Sequence, residues 1–290
     1  MRRIKLNRLF CKRFHTLLSF AVMTTPAAPA SISMGQISLK PDGFYVIAGP
    51  CSIESPAQFK ETAQFVKEFG ACILRGGIFK MRTNPESFQG VGLEALSWIR
   101  EIKNELRMPL MSEITDPRQL PAMIDFLDAF QVGSRNMYNY ELLKDLGKQN
   151  KPVLLKRGFS ALLDEWTKAA QYIVQGGNQS VLLCERGIRT FETKMRNTLD
   201  LASVAYLKAH ESYPVIVDPS HGTGAPELIA PMACAAIAAG ANGIMVEVHP
   251  EPSRALSDGF QALNFAAFKN LMIQIKPFVE AAGKTLVTHV

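Results

Sequence analysis

The stretch VIVDPSHGTGAPELIAP (residues 215–231) reads as one complete α/β unit. Val215-Ile216-Val217 is a β-branched run of the kind that forms a buried strand. Asp218 ends the run, His221 follows three residues later, and a Gly-rich turn leads to Pro226, which opens an apolar, Ala-rich helix. A buried strand, a polar cluster at its C-terminal end and a covering helix make up one unit of an α/β barrel. Such folds keep their chemistry at that polar end.

Working outward from residue 215, the same pattern recurs in both directions. Strand-like apolar runs are FYVIAGPC (44–51), ACILRGG (71–77), PLMSEI (109–114), AFQVGS (129–134), PVLLKRG (152–158), SVLLCERG (180–187), PVIVDPS (214–220) and GIMVEVHP (243–250). Helical spacing is predicted over 55–70, 91–107, 116–127, 137–149, 161–177, 197–212, 227–240 and 264–282. Ser55-Pro56, Asp116-Pro117 and Pro226 mark helix starts, and Gly70, Gly147, Gly176 and Gly240 mark helix ends. Near-continuous apolar runs imply parallel strands buried on both faces. Eight strands alternating with helices predict a single (β/α)8 TIM barrel over residues 41–290, within the usual length of about 250 residues. A doubly wound open sheet is the alternative, but it would carry a Gly-rich phosphate turn after its first strand, and AGPCSIES is not one.

The first 40 residues read differently. Arg2, Arg3, Lys5, Arg8, Lys12 and Arg13 precede any acidic residue; without them 26 basic residues face 26 acidic ones. The net charge of +6 therefore describes a tail and not a nucleic-acid-binding face. The tail is expected to be disordered. A short apolar run (17–23) followed by Ala28-Pro29-Ala30 loosely imitates a secretory signal, an Arg-rich acid-free start suits a transit peptide, and Met23 or Met34 could be the initiator. No stretch is long and apolar enough to span a membrane. Five cysteines (11, 51, 72, 184, 234) with no CxxC pair favour a reducing compartment, and a cytoplasmic location is expected.

Every predicted strand ends in an unusual polar residue: Cys51, Arg75, Glu113, Arg135, Lys156 with Arg157, Glu185 with Arg186, Asp218 with His221, and Glu247 with His249. Any one could be a satisfied salt bridge. Eight in phase call for ligands, because an isolated buried charge costs several kcal/mol. Arg75, Lys80, Arg82, Arg135, Lys156 and Arg186 make an excess of fixed positive charge suited to phosphates and carboxylates, and imply more than one anionic group in the substrates. Cys51, His221, Glu247 and Asp258 offer a thiolate, an imidazole and two carboxylates, a mixed donor set for a divalent transition metal. On the residues alone Cys51 could equally be a small buried hydrophobe and Asp258 a turn residue in Ser257-Asp258-Gly259. Cys72, Cys184 and Cys234 read as core, Trp98 and Trp166 as helix packing, and His210 and His289 as solvated.

AGPCSIES (48–55), RGGIFKMRTNPESFQG (75–90), SEITDP (112–117), QVGSRNM (131–137), LLKRG (154–158), CERG (184–187) and DPSHGTG (218–224) together resemble the 3-deoxy-D-arabino-heptulosonate 7-phosphate synthases, in their short bacterial form related to the octulosonate-phosphate synthases. The resemblance covers about residues 36–278. It implies condensation of phosphoenolpyruvate with erythrose 4-phosphate and water, releasing phosphate, at the entry to the shikimate route to aromatic amino acids. By matched position it makes Cys51, His221, Glu247 and Asp258 the ligands of a divalent metal (Mn, Fe, Co or Zn). It assigns Arg75, Lys80, Arg135, Lys156 and Arg186 to phosphoenolpyruvate, and Arg82 and Thr83 to the aldose phosphate. Lys80 is the expected proton donor to the new alkoxide, with Glu113 or Asp218 handling the water. A dimer or tetramer is also implied.

Two departures bear on the sugar. Lys80-Met81-Arg82-Thr83 keeps the heptulosonate-type Lys-x-Arg-Thr, but Met81 replaces a common Pro and leaves the loop less constrained. Asn84-Pro85-Glu86 replaces Ser-Pro-Tyr, and an acid beside a phosphate subsite is unfavourable unless it points away. The alternatives are the octulosonate reaction with arabinose 5-phosphate, and a barrel that binds phosphorylated ligands without turnover. No stretch has the pattern of a ferredoxin-like regulatory domain or a mutase domain, so little feedback inhibition by aromatic amino acids is expected.

Overall fold

The computed structural model describes residues 32–289. Eight parallel strands form the barrel: β3 (Gly43–Gly49), β4 (Ile73–Arg75), β5 (Leu110–Glu113), β6 (Ala129–Val132), β7 (Val153–Lys156), β8 (Val181–Glu185), β9 (Val215–Val217) and β10 (Gly243–Glu247). Each pairs with its sequence neighbour, and β10 closes the ring on β3 in the register Gly243↔Tyr45 to Glu247↔Gly49. The expected (β/α)8 barrel is therefore present, and the open sheet is excluded.

Alternation along each strand sets what the barrel holds. Residues facing outward, such as Val46, Leu74, Phe130, Leu155, Leu183, Val217 and Val246, join one large core beneath the helices. Residues of the opposite parity fill the interior: Tyr45, Ile47, Ile73, Met111, Ala129, Leu154, Leu182, Ile216 and Met245. One step further up, this inward set turns polar, with Arg75, Glu113, Gln131, Lys156, Asp218 and Glu247 following Ile73, Met111, Ala129, Leu154, Ile216 and Met245 at i+2.

The helices largely follow the expected spans: α1 (Pro56–Glu68), α2 (Ala95–Leu106), α4 (Tyr140–Gly147), α5 (Leu163–Gln175), α6 (Leu201–His210), α8 (Pro226–Ala238) and α9 (Phe265–Ala281). Ser55 caps α1, its side chain accepting from the Gln58 N–H, with Pro56 in the first turn. Two spans differ. Residues 116–127 give only a 3-10 turn (Pro117–Gln119) and the single-turn α3 (Leu120–Met123), with Pro121 and the Asp116 capping box crowding a short segment. The turn after β9 is itself a short helix, α7 (Pro219–Thr223), capped by Asp218.

Both chain ends add structure beyond expectation. The predicted tail, 1–40, reaches too far: Ser33–Met34 (β1) and Ile37–Ser38 (β2) form an antiparallel hairpin whose Ile32, Met34 and Ile37 are buried against the lower interior layer. Residues 1–31, with the tail, signal and transit-peptide readings that fall on them, lie outside the described residues. β11 (Thr285–Val287) adds a ninth strand beside the start of β3. His289 is not free in solvent as expected; its Nε2 lies 3.0 Å from the Arg107 carbonyl and 2.6 Å from Gln36 Nε2. His210 is exposed with its ring tilted against that of Tyr206, and Cys72 and Cys184 are core residues. Among the described residues no helix is long and apolar enough to cross a membrane, and Cys51, Cys72, Cys184 and Cys234 are free.

Candidate active site

The polar ends of the strands converge on one mouth around a cavity of about 270 Å3. Ten of the expected residues line it: Arg75, Lys80, Arg82, Thr83, Glu113, Arg135, Lys156, Arg186, His221 and Asp258. Room is made by small residues at close approaches. A Cβ on Gly133 would sit 2.2 Å from Glu113 Oε1, and one on Gly90 would sit 2.2 Å from the Ile78 carbonyl, where the loop carrying Lys80 and Arg82 folds back with φ at +96°.

Beneath the cavity lies the expected donor set. Donor atoms of Cys51, Glu247 and Asp258 lie within 4.8 Å of one another. His221 Nε2 reaches 3.4 Å from Glu247 Oε1 and 3.7 Å from Asp258 Oδ2. The imidazole is aimed by Asp218, whose Oδ2 is 2.8 Å from Nδ1 and whose Oδ1 accepts the His221 N–H at 2.9 Å. With the proton on Nδ1, assigned from that bond, Nε2 turns a lone pair toward two carboxylates. Burial holds the His221 pKa below its ordinary value although Asp218 and Glu247 pull it up. Burial, reinforced by Glu247, pushes the Cys51 thiol up to about 12. The Cys51 sulfur and the Glu247 and Asp258 carboxylates gather in one place with the His221 Nε2 lone pair beside the carboxylates, a mixed set of soft and hard donors. The donor set fits a divalent transition metal on that ground.

Both oxygens of Asp218 are engaged. Besides His221, its Oδ2 accepts from Lys156 Nζ at 2.5 Å, and the residue is fully buried. It holds His221 and Lys156, whereas Glu113 lines the cavity together with Asp258 and lies 3.8 Å from Lys80 Nζ. Gln261, not singled out from sequence, donates to Glu247 Oε2 at 2.5 Å.

The cations divide into two groups. Arg75 donates to Glu247 Oε1 at 2.8 Å. Burial works against the Arg75 and Lys80 charges, but the nearby carboxylates, Glu247 beside Arg75 and Glu113 with Glu247 around Lys80, offset it, so both pKa values rise and both groups stay protonated. Arg135 and Arg186 have no carboxylate partner among the described residues. Arg135 donates to Thr83 Oγ1 at 3.2 Å, and both guanidinium groups lie over the Phe159 ring, at 5.1 and 4.8 Å. Burial lowers the Arg186 pKa to about 10 and lowers that of Arg135 too, with Arg196 adding repulsion. Two guanidinium groups without a carboxylate partner, Arg186 buried and Arg135 exposed, line the same cavity, an arrangement suited to an anion.

Arg196 was missed from sequence, as was Phe159. Arg196 lies in the loop between β8 and α6, away from any strand end, and reaches Asp258 Oδ2 at 3.6 Å. Glu86 is exposed and is not on the cavity wall, so the acid expected to disturb a phosphate subsite points away. Arg157 and Glu185 also leave the site. Their parity turns them outward, where Arg157 Nη1 donates to Glu185 Oε2 at 2.9 Å, Asp200 Oδ2 at 3.0 Å and Ser203 Oγ at 3.1 Å.

Comparisons with known proteins bear on the family and the fold. The family model described as the DAHP synthetase I family matches residues 27–281. The phospho-2-dehydro-3-deoxyheptonate aldolase of Thermotoga maritima is 46% identical over 252 residues, 87% of this chain and 75% of that protein. A 2-dehydro-3-deoxyphosphooctonate aldolase of Nitrosococcus oceani is 31% identical over 252 residues, 79% of this chain and 87% of its own length. The solved structure of the Thermotoga maritima phospho-2-dehydro-3-deoxyheptonate aldolase superposes with a TM-score of 0.86 at 44% identity, covering 89% of this chain and 76% of that one. A truncated form of the 3-deoxy-D-arabino-heptulosonate 7-phosphate synthase from the same organism gives 0.83 at 42% identity, covering 89% and 95%.

Proposed function

This chain belongs to the DAHP synthetase I family, and on that premise we propose that it condenses phosphoenolpyruvate with erythrose 4-phosphate and water to give 3-deoxy-D-arabino-heptulosonate 7-phosphate and phosphate. It is an enzyme, a 3-deoxy-7-phosphoheptulonate synthase acting at the first step toward aromatic amino acids. The observation that carries the substrate reading is the pair of unneutralised arginines, Arg135 and Arg186, on the wall of a cavity that His221 and Asp258 also line, with Cys51 and Glu247 beside them beneath it.

In this reading Arg135, Arg186 and Lys156 hold the phosphate and carboxylate of phosphoenolpyruvate and fix the face of its C2–C3 double bond. Arg82 and Thr83 hold the aldose phosphate from the facing loop. Neutralising two anionic substrates and fixing their reacting carbons in contact contributes several kcal/mol toward the barrier. A divalent ion on the four donors supplies Lewis acidity for the aldehyde oxygen when bound. C3 of phosphoenolpyruvate forms the bond to the aldehyde carbon, and Lys80, kept protonated, passes its proton to the alkoxide oxygen. Glu113 takes a proton from the water that adds at C2, and the resulting hemiketal phosphate loses phosphate by C–O cleavage. Asp218 keeps His221 and Lys156 in place throughout.

Erythrose 4-phosphate is favoured over arabinose 5-phosphate by the Lys80-Met81-Arg82-Thr83 segment on the cavity wall and by the higher identity to the heptonate enzyme. The test is phosphate release from phosphoenolpyruvate with each sugar, using metal-loaded and chelated protein. At least tenfold faster release with erythrose 4-phosphate, lost on chelation, is expected. Equal or faster release with arabinose 5-phosphate would reassign the sugar, and release with neither would leave a binding protein.

A further inference from the structure

The segment from His249 to Gln261 does more than deliver one ligand. It carries Asp258, and it also carries Gln261, whose amide donates to the neighbouring ligand Glu247. It is folded tightly on itself: a Cβ on Gly259 would meet the Pro252 carbonyl at 2.1 Å, and Asp258 sits in the left-handed region with φ at +49°. A non-glycine residue stays in that conformation only where its surroundings hold it.

Those surroundings are a row of contacts to the loop after β3. Cys51 Sγ lies 3.6 Å from Asp258 Oδ2. Behind that pair, Ser52 Oγ and Ser257 Oγ are 2.6 Å apart, both buried. Next, Glu54 Oε1 accepts the Leu256 N–H at 2.9 Å. Last, Glu54 Oε2 lies 3.5 Å from His249 Nε2. His249 Nδ1 accepts the Glu251 N–H at 3.1 Å, and its Nε2 is buried without a hydrogen-bond partner among the described residues. Glu54 itself is fixed by Gln58 Oε1, which accepts its backbone N–H at 3.3 Å. Residues 51, 52 and 54 thus run alongside 258, 257 and 256 in order.

We propose that Glu54, Ser52 and Ser257 are positioning residues that stitch the two ligand-bearing loops together, so that Cys51 and Asp258 stand at ligand spacing before any ion arrives. This rests on the four-ligand metal reading. Groups behind metal ligands commonly carry ten- to a hundredfold of metal affinity, and here that share falls on the Ser52–Ser257 and Glu54–Leu256 links.

Cobalt(II) serves as the probe, titrated into metal-stripped full-length protein and followed by its sulfur-to-cobalt charge-transfer absorption and by calorimetry. Wild type should bind one cobalt with that band. Ser257→Ala and Glu54→Ala should each weaken cobalt binding about ten- to a hundredfold and reduce the band per bound ion. Glu54→Gln, whose amide oxygen still accepts from Leu256, should recover part of the loss. Wild-type affinity and band in Ser257→Ala and Glu54→Ala, even with a lowered Tm, would overturn the stitch. Should Glu54→Ala fail to fold, Ser257→Ala decides alone. No sulfur band in wild type would instead overturn the metal reading itself.

Discussion

The two ends of the barrel interior are built from the same eight strands and on the same parity, yet they are opposites. At the lower end Tyr45, Ile47, Met111, Leu154, Ile216 and Met245 pack together and the hairpin residues Ile32, Met34 and Ile37 close the opening. At the upper end, two residues along each strand, Arg75, Glu113, Lys156, Asp218 and Glu247 face an open cavity or its floor. The lower layer gains by removing apolar surface from water. The upper layer buries charge, and an unpaired buried charge is costly. One end supplies the stability that the other spends on preorganised charge.

Cys51→Ala probes this division with the largest expected effect. It removes a donor from the upper end without touching the plugged end, so kcat/KM should fall on the order of ten-thousandfold, about 5 kcal/mol of transition-state stabilisation, while Tm stays within a few degrees. Full activity of the variant in the presence of chelator would show that the upper end does not work through these donors.

Charge alone does not decide which role a residue plays, and Arg157 sharpens the point. It is the sequence neighbour of Lys156 and stands at the same height, but it faces away from the cavity, stacked over Trp166 and bonded to Glu185, Asp200 and Ser203. Burial raises the Glu185 pKa against the pull of Arg157. Arg157→Met strands that buried carboxylate and should cost about 3–4 kcal/mol of stability in denaturant unfolding, with kcat of the folded fraction unchanged. Adding Glu185→Gln should recover much of the loss. A collapse of kcat at unchanged stability would place Arg157 in the upper end after all.

Lys156 and Arg157 also show how far the sequence could be read. Apolar runs of strand length ending in polar residues gave eight strands and the barrel, because burial on both faces leaves a signal in composition. Which of two adjacent charges turns inward was not legible: parity is fixed only once the register Leu154↔Leu182 to Lys156↔Cys184 is known. Cys51, His221, Glu247 and Asp258 could be grouped in the sequence as strand-end and loop donors and matched by position to a family, and the structure brings Cys51, Glu247 and Asp258 together with His221 beside them. Arg196 and Gln261 were not, because they come from irregular loops whose course is set by tertiary contacts. The hairpin at 32–38 was folded into a low-complexity tail for the same reason. Two-residue strands are too short to show a period, and their partners, Tyr45 and Ile47 among them, lie in another element.

At the lower end, Met34→Ala should produce the mirror image of Cys51→Ala. Met34 is fully buried between the hairpin and the interior layer. Truncating it leaves a cavity in a closely packed layer and should lower stability by about 2–3 kcal/mol, read as a shift in denaturation midpoint at unchanged slope. KM for both substrates and kcat should stay within about twofold. Loss of substrate affinity at wild-type stability would mean that the plug shapes the mouth, and the two ends would not be separable.

The smallest expected effect lies where the ninth strand meets the lower end. Lys284 Nζ donates to the Ala241 carbonyl at 2.5 Å and to the Gly240 carbonyl at 3.3 Å, beyond the end of α8. Burial, with repulsion from Lys208, lowers its pKa from 10.5 to about 8. Below about pH 8 both folded and unfolded chains hold this proton, and the cost of burying the charge is present in full. Between about 8 and 10.5 the unfolded chain binds more protons than the folded one, so stability contributed by this site rises with pH. The lysine is only half-buried, and solvent screening limits the gain to about 1 kcal/mol. Unfolding of wild type and Lys284→Met compared from pH 7 to 10 should show wild type gaining relative to the variant across that window, since groups common to both cancel. Parallel profiles would mean that the Lys284 charge is solvated despite its place beside the end of α8, and a relative loss for wild type would mean that its bonds to the α8 terminus depend on the charge.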